Sequence, residues 1–153
     1  FQIGSDTKKL TAMALLQQVD AGKLSLEDPL STVVPELQFA RDPELASQIT
    51  MHHLISHQTA LFDYTPWSDD PDDSELSAVA TGRFAENEHA YAPPGSYWNY
   101  SNPNFALAGL AVEKATGRSY ADVLEQDIFA PLKLERSYAR LSEAEAAGNY
   151  ATG

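Results

Sequence analysis

The sequence predicts a mainly helical unit, because one long segment repeats apolar residues at a helical period, a second is apolar nearly all round, and glycine follows each of them. No segment shows the alternation of apolar and polar residues that marks a half-buried strand. The connections between the apolar segments are short and irregular. We therefore expect about five or six helices and no long strand within the 153 residues.

The first helix is predicted from Ser5 to Ala21, with Gly22 as its C-terminal stop. Its apolar positions follow a helical period: Leu10, Met13, Leu15, Leu16 and Val19. An extended, turn-rich stretch then ends at Pro29. One short helical turn is predicted within residues 30–35.

A loop is predicted over residues 38–48, ahead of Thr50, which is a candidate N-cap for the second helix. An acidic loop then leads into a third helix near residues 74–81. The fourth helix, from Pro103 to Ala115, is apolar around nearly its whole circumference, which predicts burial on all sides. Gly117 is expected to end it.

Ser119 is the predicted cap of a fifth helix, Tyr120 to Phe129, which Pro131 stops. The segment SEAE at 142–145 has the form of a capping box and predicts the start of a last short helix. No internal repeat or low-complexity linker divides the chain. We therefore expect a single domain over residues 1–153.

The chain is acidic, with 22 Asp and Glu against 10 Lys and Arg and a formal charge of −12. This charge repels phosphate backbones and anionic membrane surfaces, so nucleic acid is not an expected partner. The absence of cysteine excludes disulfides, thiolate catalysis and cysteine-bound metals within this sequence. The longest apolar run, residues 105–112, is too short to span a bilayer, so no membrane span is expected.

Ser5 and Lys8 form an S-x-x-K pair at the predicted start of the first helix. Residues three apart share a helix face, so the lysine amine can reach the serine hydroxyl and take or relay its proton. Backbone N–H groups at a helix start also favour a developing negative charge. The pattern alone is common, and it fits a capping serine beside a solvated lysine as well.

Tyr100, Ser101 and Asn102 lie on a loop ahead of the buried fourth helix, a placement typical of catalytic groups. A tyrosine near lysine can serve as a general base once its pKa is lowered, and an asparagine amide can both donate to and accept from a substrate. These residues also fit a turn-forming aromatic loop. Tyr97 and Asn99 form a second Y-x-N match, so the pattern is not unique in this chain.

His53 and His57 are four residues apart and could form a metal pair. However, Leu54 stands where a zinc peptidase of the H-E-x-x-H type needs glutamate, so we favour hydrogen-bonding histidines and expect no metal. The acidic residues within 69–73 lack the glycine and the terminal glutamate of an EF-hand. A solvated acidic loop is the expected interpretation there.

Three segments, taken together, resemble the serine beta-lactamase and penicillin-binding-protein family: IGSDTKKLTAMALLQQVDAGKLSLEDPL, ITMHHLISHQTAL and PPGSYWNYSNPNFALAGLAVEKATGRSYADVLEQDIFAPLKL. The chain is similar above all to class C beta-lactamases, D-alanyl-D-alanine carboxypeptidases and related esterases. The resemblance covers nearly the whole chain. Its specificity comes from the order and spacing of the S-x-x-K helix, the histidine loop and the Y-S-N segment.

The resemblance implies roles for four residues. Ser5 matches the acylated nucleophile and Lys8 the lysine that activates it. Tyr100 matches a tyrosine that acts as proton shuttle, and Asn102 an amide that orients substrate and lysine. The implied reaction is two-step acyl transfer, in which Ser5 attacks an amide, beta-lactam or ester carbonyl and water then releases the acyl group. The resemblance further implies a small-molecule or peptide substrate, no cofactor, and a periplasmic or secreted location with any leader upstream of the chain.

Two segments depart from the family pattern. The histidine loop usually reads H-T-S-G-L, whereas this chain has Ala60 in place of the glycine. We expect this alanine to alter the path of the loop, because a side chain disfavours positive φ. The segment PLKL at 131–134 stands where P-L-G-M is usual.

The family's third motif, K-T-G or H-x-G on a strand beyond the second motif, does not occur in this sequence. Strands ahead of the nucleophile helix are not found either. The resemblance therefore implies the helical portion of an α/β beta-lactamase/transpeptidase-like fold whose central antiparallel sheet is largely missing here. On this basis we do not expect Phe1 to be the start of the folded protein.

Three functional hypotheses follow. In the first, the intact protein is a serine acyl-transfer hydrolase, and this chain alone is inactive because it needs the missing strands of its own domain or a complementing chain. The second is a non-catalytic penicillin-recognition-like binding module, and the third is an isolated helical interaction domain. The presence of all four site residues favours the first. Among beta-lactam, D-alanyl peptide and ester, we favour a broad esterase or peptidase-like hydrolase.

Overall fold

Residues 2–63, 76, 89–148 and 150–151 are described by the structure, a computed structural model. Within these ranges the chain forms seven α-helices and no strand, which confirms the predicted helical unit. The helices are α1 Thr7–Asp20, α2 Leu30–Val33, α3 Leu45–Gln48, α4 Met51–Ile55, α5 Asn102–Thr116, α6 Tyr120–Val123 and α7 Leu141–Ala147. A 3₁₀ turn, Gly4–Asp6, precedes α1, and a π-helical turn, Leu124–Phe129, continues α6. Extended residues of the described part pair in two isolated antiparallel bridges, Pro29 with Thr50 and Leu61 with Ala90.

The core is centred on α5, which packs against α1, α4 and α6. Its residues 107–112 are all buried, as the apolar pattern predicts. Each fully buried leucine there, Leu107 and Leu110, stabilises the fold by roughly 1.5–3 kcal/mol. Gly117 follows α5 with a φ of 69°, which only glycine adopts at little cost, and it ends the helix at the predicted place.

One face of α1 carries its buried side chains. Ala14 and Leu15 are fully buried in the core. Met13 and Leu16, which belong to the same apolar pattern in the sequence, are 43% and 44% exposed. The apolar surface of α1 therefore extends beyond the face that α5 covers.

Polar contacts fix α1 against the segment that follows α5. The hydroxyl oxygens of Thr11 and Tyr120 lie 2.6 Å apart, and Thr11 is buried. One turn and a half further along α1, Gln17 Nε2 donates to the carbonyl oxygen of Asp127 at 3.2 Å. These two contacts place α1 relative to α6 and to the π-helical turn.

The ends of several elements differ from the prediction. The first helix begins at Thr7, because Ser5 belongs to the preceding 3₁₀ turn. A short helix, α3, lies inside the predicted loop 38–48, where Leu45 is almost fully buried and anchors it. The fifth helix is α-helical only over its first residues and then widens into the π-helical turn.

The last helix, α7, begins one residue before the predicted capping serine. Its N-cap is Arg140, which makes no side-chain capping bond, and Ser142 lies within the helix. The predicted third helix at 74–81 lies outside the described residues except for Leu76. Among the helices that the described ranges contain, none has the length and apolar character needed to cross a lipid bilayer.

Candidate active site

Ser5 lies on the 3₁₀ turn directly before α1, and Gly4 ahead of it has a φ of 53°. Ser5 is exposed, and its Oγ lies 2.8 Å from the hydroxyl oxygen of Tyr100. Either hydroxyl can be the donor. Lys8, on the first turn of α1, donates from Nζ to the same Oγ at 3.2 Å. The predicted S-x-x-K contact is therefore present, although it spans the junction of two helix types.

Lys8 connects α1 to the start of α5. Its Nζ donates to Asn102 Oδ1 at 2.7 Å, a shorter distance than that to Ser5 Oγ. The ammonium also lies over two aromatic rings, 4.9 Å from the centroid of Tyr100 and 5.7 Å from that of Phe105. Both distances fall in the range of cation–π attraction. Lys8 is thus held at a point where it reaches Ser5 and Tyr100 together.

Tyr100 contacts Ser5, Lys8 and Asn102. Its hydroxyl contacts Ser5 Oγ and donates to Asn102 Oδ1 at 3.3 Å. Hydrogen bonding with Lys8, and then with Ser5, lowers the pKa of Tyr100 below its ordinary value of 10.0, against the opposing effects of burial and of Asp63. A phenol that gives up its proton more easily is suited to take one from a neighbouring hydroxyl.

Asn102 is the first residue of α5, and its amide has a fixed orientation. The backbone N and the side-chain Nδ2 both donate to Asp63 Oδ1, at 2.8 Å and 3.1 Å. Oδ1 of Asn102 therefore faces Lys8 and Tyr100. The structure thus brings all four sequence-predicted site residues into one hydrogen-bonded group.

The imidazole ring of His57 packs against the ring of Tyr100. The two ring centroids are 4.7 Å apart with an interplanar angle of 31°. His57 Nδ1 accepts from the backbone N of Ser101 at 3.2 Å and lies 3.2 Å from Asn104 Nδ2. Because a backbone N–H can only donate, Nδ1 carries no proton, and a neutral ring has its proton on Nε2. Burial, and then the charge of Lys8, lower the pKa of His57, which favours this neutral form.

His53 and His57, the histidine pair of the sequence, therefore each accept a hydrogen bond from a backbone N–H group. His53 Nδ1 accepts from the backbone N of Thr50 at 3.2 Å, while Thr50 Oγ1 accepts from the backbone N of His53 at 3.3 Å. This reciprocal cap confirms Thr50 as the N-cap of α4. Within the described residues, no group of three His, Cys, Asp or Glu side chains is arranged to hold a metal ion.

The histidine loop is tied to the segment before Tyr100 by backbone hydrogen bonds. Gly95 N donates to Gln58 O at 2.7 Å, and Asn99 N donates to His57 O at 2.8 Å. Ala60 is buried and has a φ of 59°, so the alanine does not prevent the left-handed conformation here. The expectation that it would lose positive φ is wrong, because the surrounding hydrogen bonds and packing hold the backbone in place.

The second Y-x-N match has a different part in the structure. Asn99 Nδ2 donates to the carbonyl oxygen of Leu61 at 2.8 Å and so holds the histidine loop. Tyr97 is 42% exposed. Asp63 is the residue of the site that the motifs did not reveal, and the histidine loop pointed to His57 without predicting its contact with Tyr100. The only sequence signal for Asp63 is an acidic residue shortly after the histidine loop, which is too common to identify it.

Comparison with known proteins places this geometry in a family. The sequence profile of the Beta-lactamase family matches residues 1–153. Penicillin-binding protein 4* of Bacillus subtilis is 30% identical over 159 residues, covering 100% of this chain and 34% of that protein. A D-aminopeptidase of Brucella anthropi and esterase EstB of Burkholderia gladioli are each 30% identical, covering 88% and 86% of this chain and 25% and 36% of their own lengths. The chain spans about a third of the length of the curated relatives it matches.

Solved structures agree with the sequence relatives. An octameric penicillin-binding protein homologue from Pyrococcus abyssi superposes with a TM-score of 0.78 at 28% identity, covering 100% of this chain and 36% of that one. A D-stereospecific amidohydrolase from Streptomyces gives a TM-score of 0.71 at 32% identity, covering 89% and 43%. The chain therefore belongs to the Beta-lactamase family, whose matched members include hydrolases, and it forms a helical portion of that family's fold.

Proposed function

We propose that the intact protein is a serine hydrolase that acts through an acyl-enzyme on Ser5. The observation that carries the proposal is the contact of Ser5 Oγ with both the Tyr100 hydroxyl, at 2.8 Å, and Lys8 Nζ, at 3.2 Å. A serine hydroxyl is a weak nucleophile unless a neighbouring base accepts its proton. Here the neighbouring base would be the phenolate of Tyr100, favoured by the lowered pKa of that residue.

In the first step, Ser5 Oγ forms a bond to the substrate carbonyl carbon while its proton passes to Tyr100. Lys8 stabilises the phenolate by charge, and Asn102 holds Lys8 in reach of both oxygens. Tyr100 then gives the proton to the leaving nitrogen or oxygen as the carbonyl–leaving group bond breaks. In the second step, water adds to the ester on Ser5 and loses a proton to Tyr100. That proton returns to Ser5 Oγ as the acyl group leaves.

The substrates we propose are amides, beta-lactams or esters. The names of the relatives include a penicillin-binding protein, a D-aminopeptidase, an esterase and a D-stereospecific amidohydrolase. Penicillins, amides and esters share an acyl carbonyl that a serine can attack. The exposed position of Ser5 supports attack on a substrate that arrives from solvent. We favour a broad esterase or peptidase-like hydrolase. We expect no turnover from the 153-residue chain alone, since the resemblance assigns one oxyanion donor to a strand with the third motif.

The test is labelling of the intact protein with a fluorescent fluorophosphonate and with a fluorescent penicillin. We expect a label on Ser5 that is lost in Ser5→Ala. Ser137→Ala is the matched control, because Ser137 is also exposed and lies outside the site. A label that persists in Ser5→Ala would assign the nucleophile to another residue. Absence of any label from the unmodified protein would favour a non-catalytic binding module.

A further inference from the structure

Asp63 is the charged residue that fixes the amide of Asn102. It follows the histidine loop, and its side chain is exposed. One carboxylate oxygen, Oδ1, accepts from both the backbone N and the side-chain Nδ2 of Asn102, at 2.8 Å and 3.1 Å. Two donors of one residue thus converge on one acceptor. This arrangement restricts both the start of α5 and the rotation of the side chain.

The orientation of the Asn102 amide determines whether its oxygen or its nitrogen faces Lys8 Nζ. The two ends of an amide have nearly the same shape, and a half-turn exchanges oxygen and nitrogen. An ionised carboxylate only accepts, so Asp63 favours the orientation in which Nδ2 faces it. Oδ1 then faces Lys8 Nζ at 2.7 Å and the Tyr100 hydroxyl at 3.3 Å. The opposite orientation would place an NH₂ group against the ammonium, where both groups can only donate.

We propose that Asp63 is a positioning residue for acyl transfer, which holds the Asn102 amide oxygen toward Lys8 and Tyr100. This inference rests on the proposed function, because it deepens the role of the same site. The hydrogen bonds of Asp63 go to Asn102, so its positioning effect on Lys8 and Tyr100 passes through that residue. Asp63 is therefore not a catalytic residue.

The charge of Asp63 gives a second, separable effect. Its negative charge raises the pKa of Tyr100, against the larger lowering by hydrogen bonds with Lys8 and Ser5. Asp63→Asn keeps an acceptor oxygen for Asn102 but removes this charge. Asp63→Ala removes both. The two variants thus separate the hydrogen bonds from the charge.

The first measurement does not need activity. In intact protein with ¹⁵N-labelled asparagine, the Asn102 side-chain signal is assigned by its loss in Asn102→Ala. We expect the hydrogens on Nδ2 to exchange with solvent at least about tenfold faster in Asp63→Ala, because their acceptor is lost. Asp20→Ala is the matched control, since Asp20 is exposed at the far end of α1. Equal exchange in Asp63→Ala and in the control would overturn the proposal.

The second measurement is the rate of fluorophosphonate labelling of Ser5. We expect Asp63→Ala to slow it by about tenfold and Asp63→Asn to recover part of that loss, because misplacement of a positioned group is costly. The rate profile of Asp63→Asn should also shift to lower pH, since a negative charge beside Tyr100 is gone. In the Asn102→Ala background, Asp63→Ala should cost less than about twofold, since its partner amide is absent.

The outcomes separate the two proposals. If Asp63→Ala slows labelling in the Asn102→Ala background by as large a factor as in the otherwise unmodified protein, the positioning role is overturned, while Ser5 remains the nucleophile. Absence of labelling in the unmodified protein would overturn the proposed function, and the exchange measurement would still decide whether Asp63 fixes the amide.

Discussion

The hydroxyl oxygens of Ser5 and Tyr100 lie 2.8 Å apart although 95 residues separate them in the chain. No local turn produces this contact. It depends on the packing of α1 against α5, because Ser5 directly precedes α1 and Tyr100 lies two residues before Asn102, the first residue of α5. The proton transfer proposed between these two residues therefore depends on tertiary structure.

Tyr100→Phe should slow labelling of Ser5 in the intact protein by about 10²–10⁴-fold, because it removes the proposed base and keeps the ring that packs on His57. In the unmodified protein, the rate should rise with pH as Tyr100 loses its proton, with a midpoint below 10.0. Labelling rates between about pH 6 and 10 check both points. Tyr97→Phe is the control, since Tyr97 is an exposed tyrosine of the same loop. A pH profile unchanged by Tyr100→Phe would contradict the assignment.

Asn104→Ala should destabilise the protein by about 2–3 kcal/mol, because removal of the buried amide leaves its two partners without their hydrogen bonds. Asn104 is fully buried, accepts from Thr59 Oγ1 at 2.5 Å and contacts His57 Nδ1 at 3.2 Å. Urea unfolding followed by circular dichroism measures the change. Gln38→Ala, at an exposed position, should change stability by no more than about 0.5 kcal/mol. Similar values for the two variants would contradict the role of Asn104.

Lys133→Gly should stabilise the protein by about 1 kcal/mol. Lys133 is exposed and has a φ of 56°, where a side chain is strained and glycine is not. Lys133→Ala is the matched control, because it removes the charge but keeps the Cβ atom that causes the strain. Thermal unfolding should show a rise in Tm for the glycine variant alone. An equal rise for alanine would assign the effect to charge.

Glu125→Gln should stabilise the protein at pH 8 and have little effect near pH 4.5. Burial, and then the neighbouring Glu143, raise the pKa of Glu125 from 4.5 to about 6. The folded state therefore binds more protons than the unfolded state in this window, so stability falls as pH rises from 4.5 to about 6. The gain at pH 8 should be about 1 kcal/mol, below the full value of the shift because water screens a partly exposed carboxylate.

The measurement is the free energy of unfolding of both proteins at several pH values. Glu135→Gln provides the control, since Glu135 is exposed. A difference between Glu125→Gln and the unmodified protein that does not change with pH would show that the carboxyl proton is not responsible.

Much of the helical frame could be predicted from the sequence. The apolar period of α1, the all-round apolar character of α5 and the glycines after both helices can be read directly from the sequence. The four candidate site residues could be named because the two motifs keep the order and spacing on which the family resemblance rests. Ser5 on a 3₁₀ turn could not be predicted, because S-x-x-K fits either helix type at its first turn.

Other features depend on tertiary contacts. The π-helical turn Leu124–Phe129 exposes a carbonyl of Asp127 to Gln17 of α1, a pairing that no local pattern encodes. The N-cap of α7 is Arg140, whose side chain donates to Asp122 of α6 at 2.7 Å, a contact between distant residues that the SEAE pattern does not record. Asp63 is recognisable only once its distance to Asn102 is known.

The bond between Lys8 and Asn102 has a consequence for how preparations of this protein can be judged. Lys8 is on α1 and Asn102 is on α5, so the site exists only in molecules whose two central helices have docked in register. Under the proposed function, the fraction of molecules that take one label on Ser5 becomes a direct count of correctly folded protein. A covalent titration of the serine would then report refolding yield without any spectroscopic baseline.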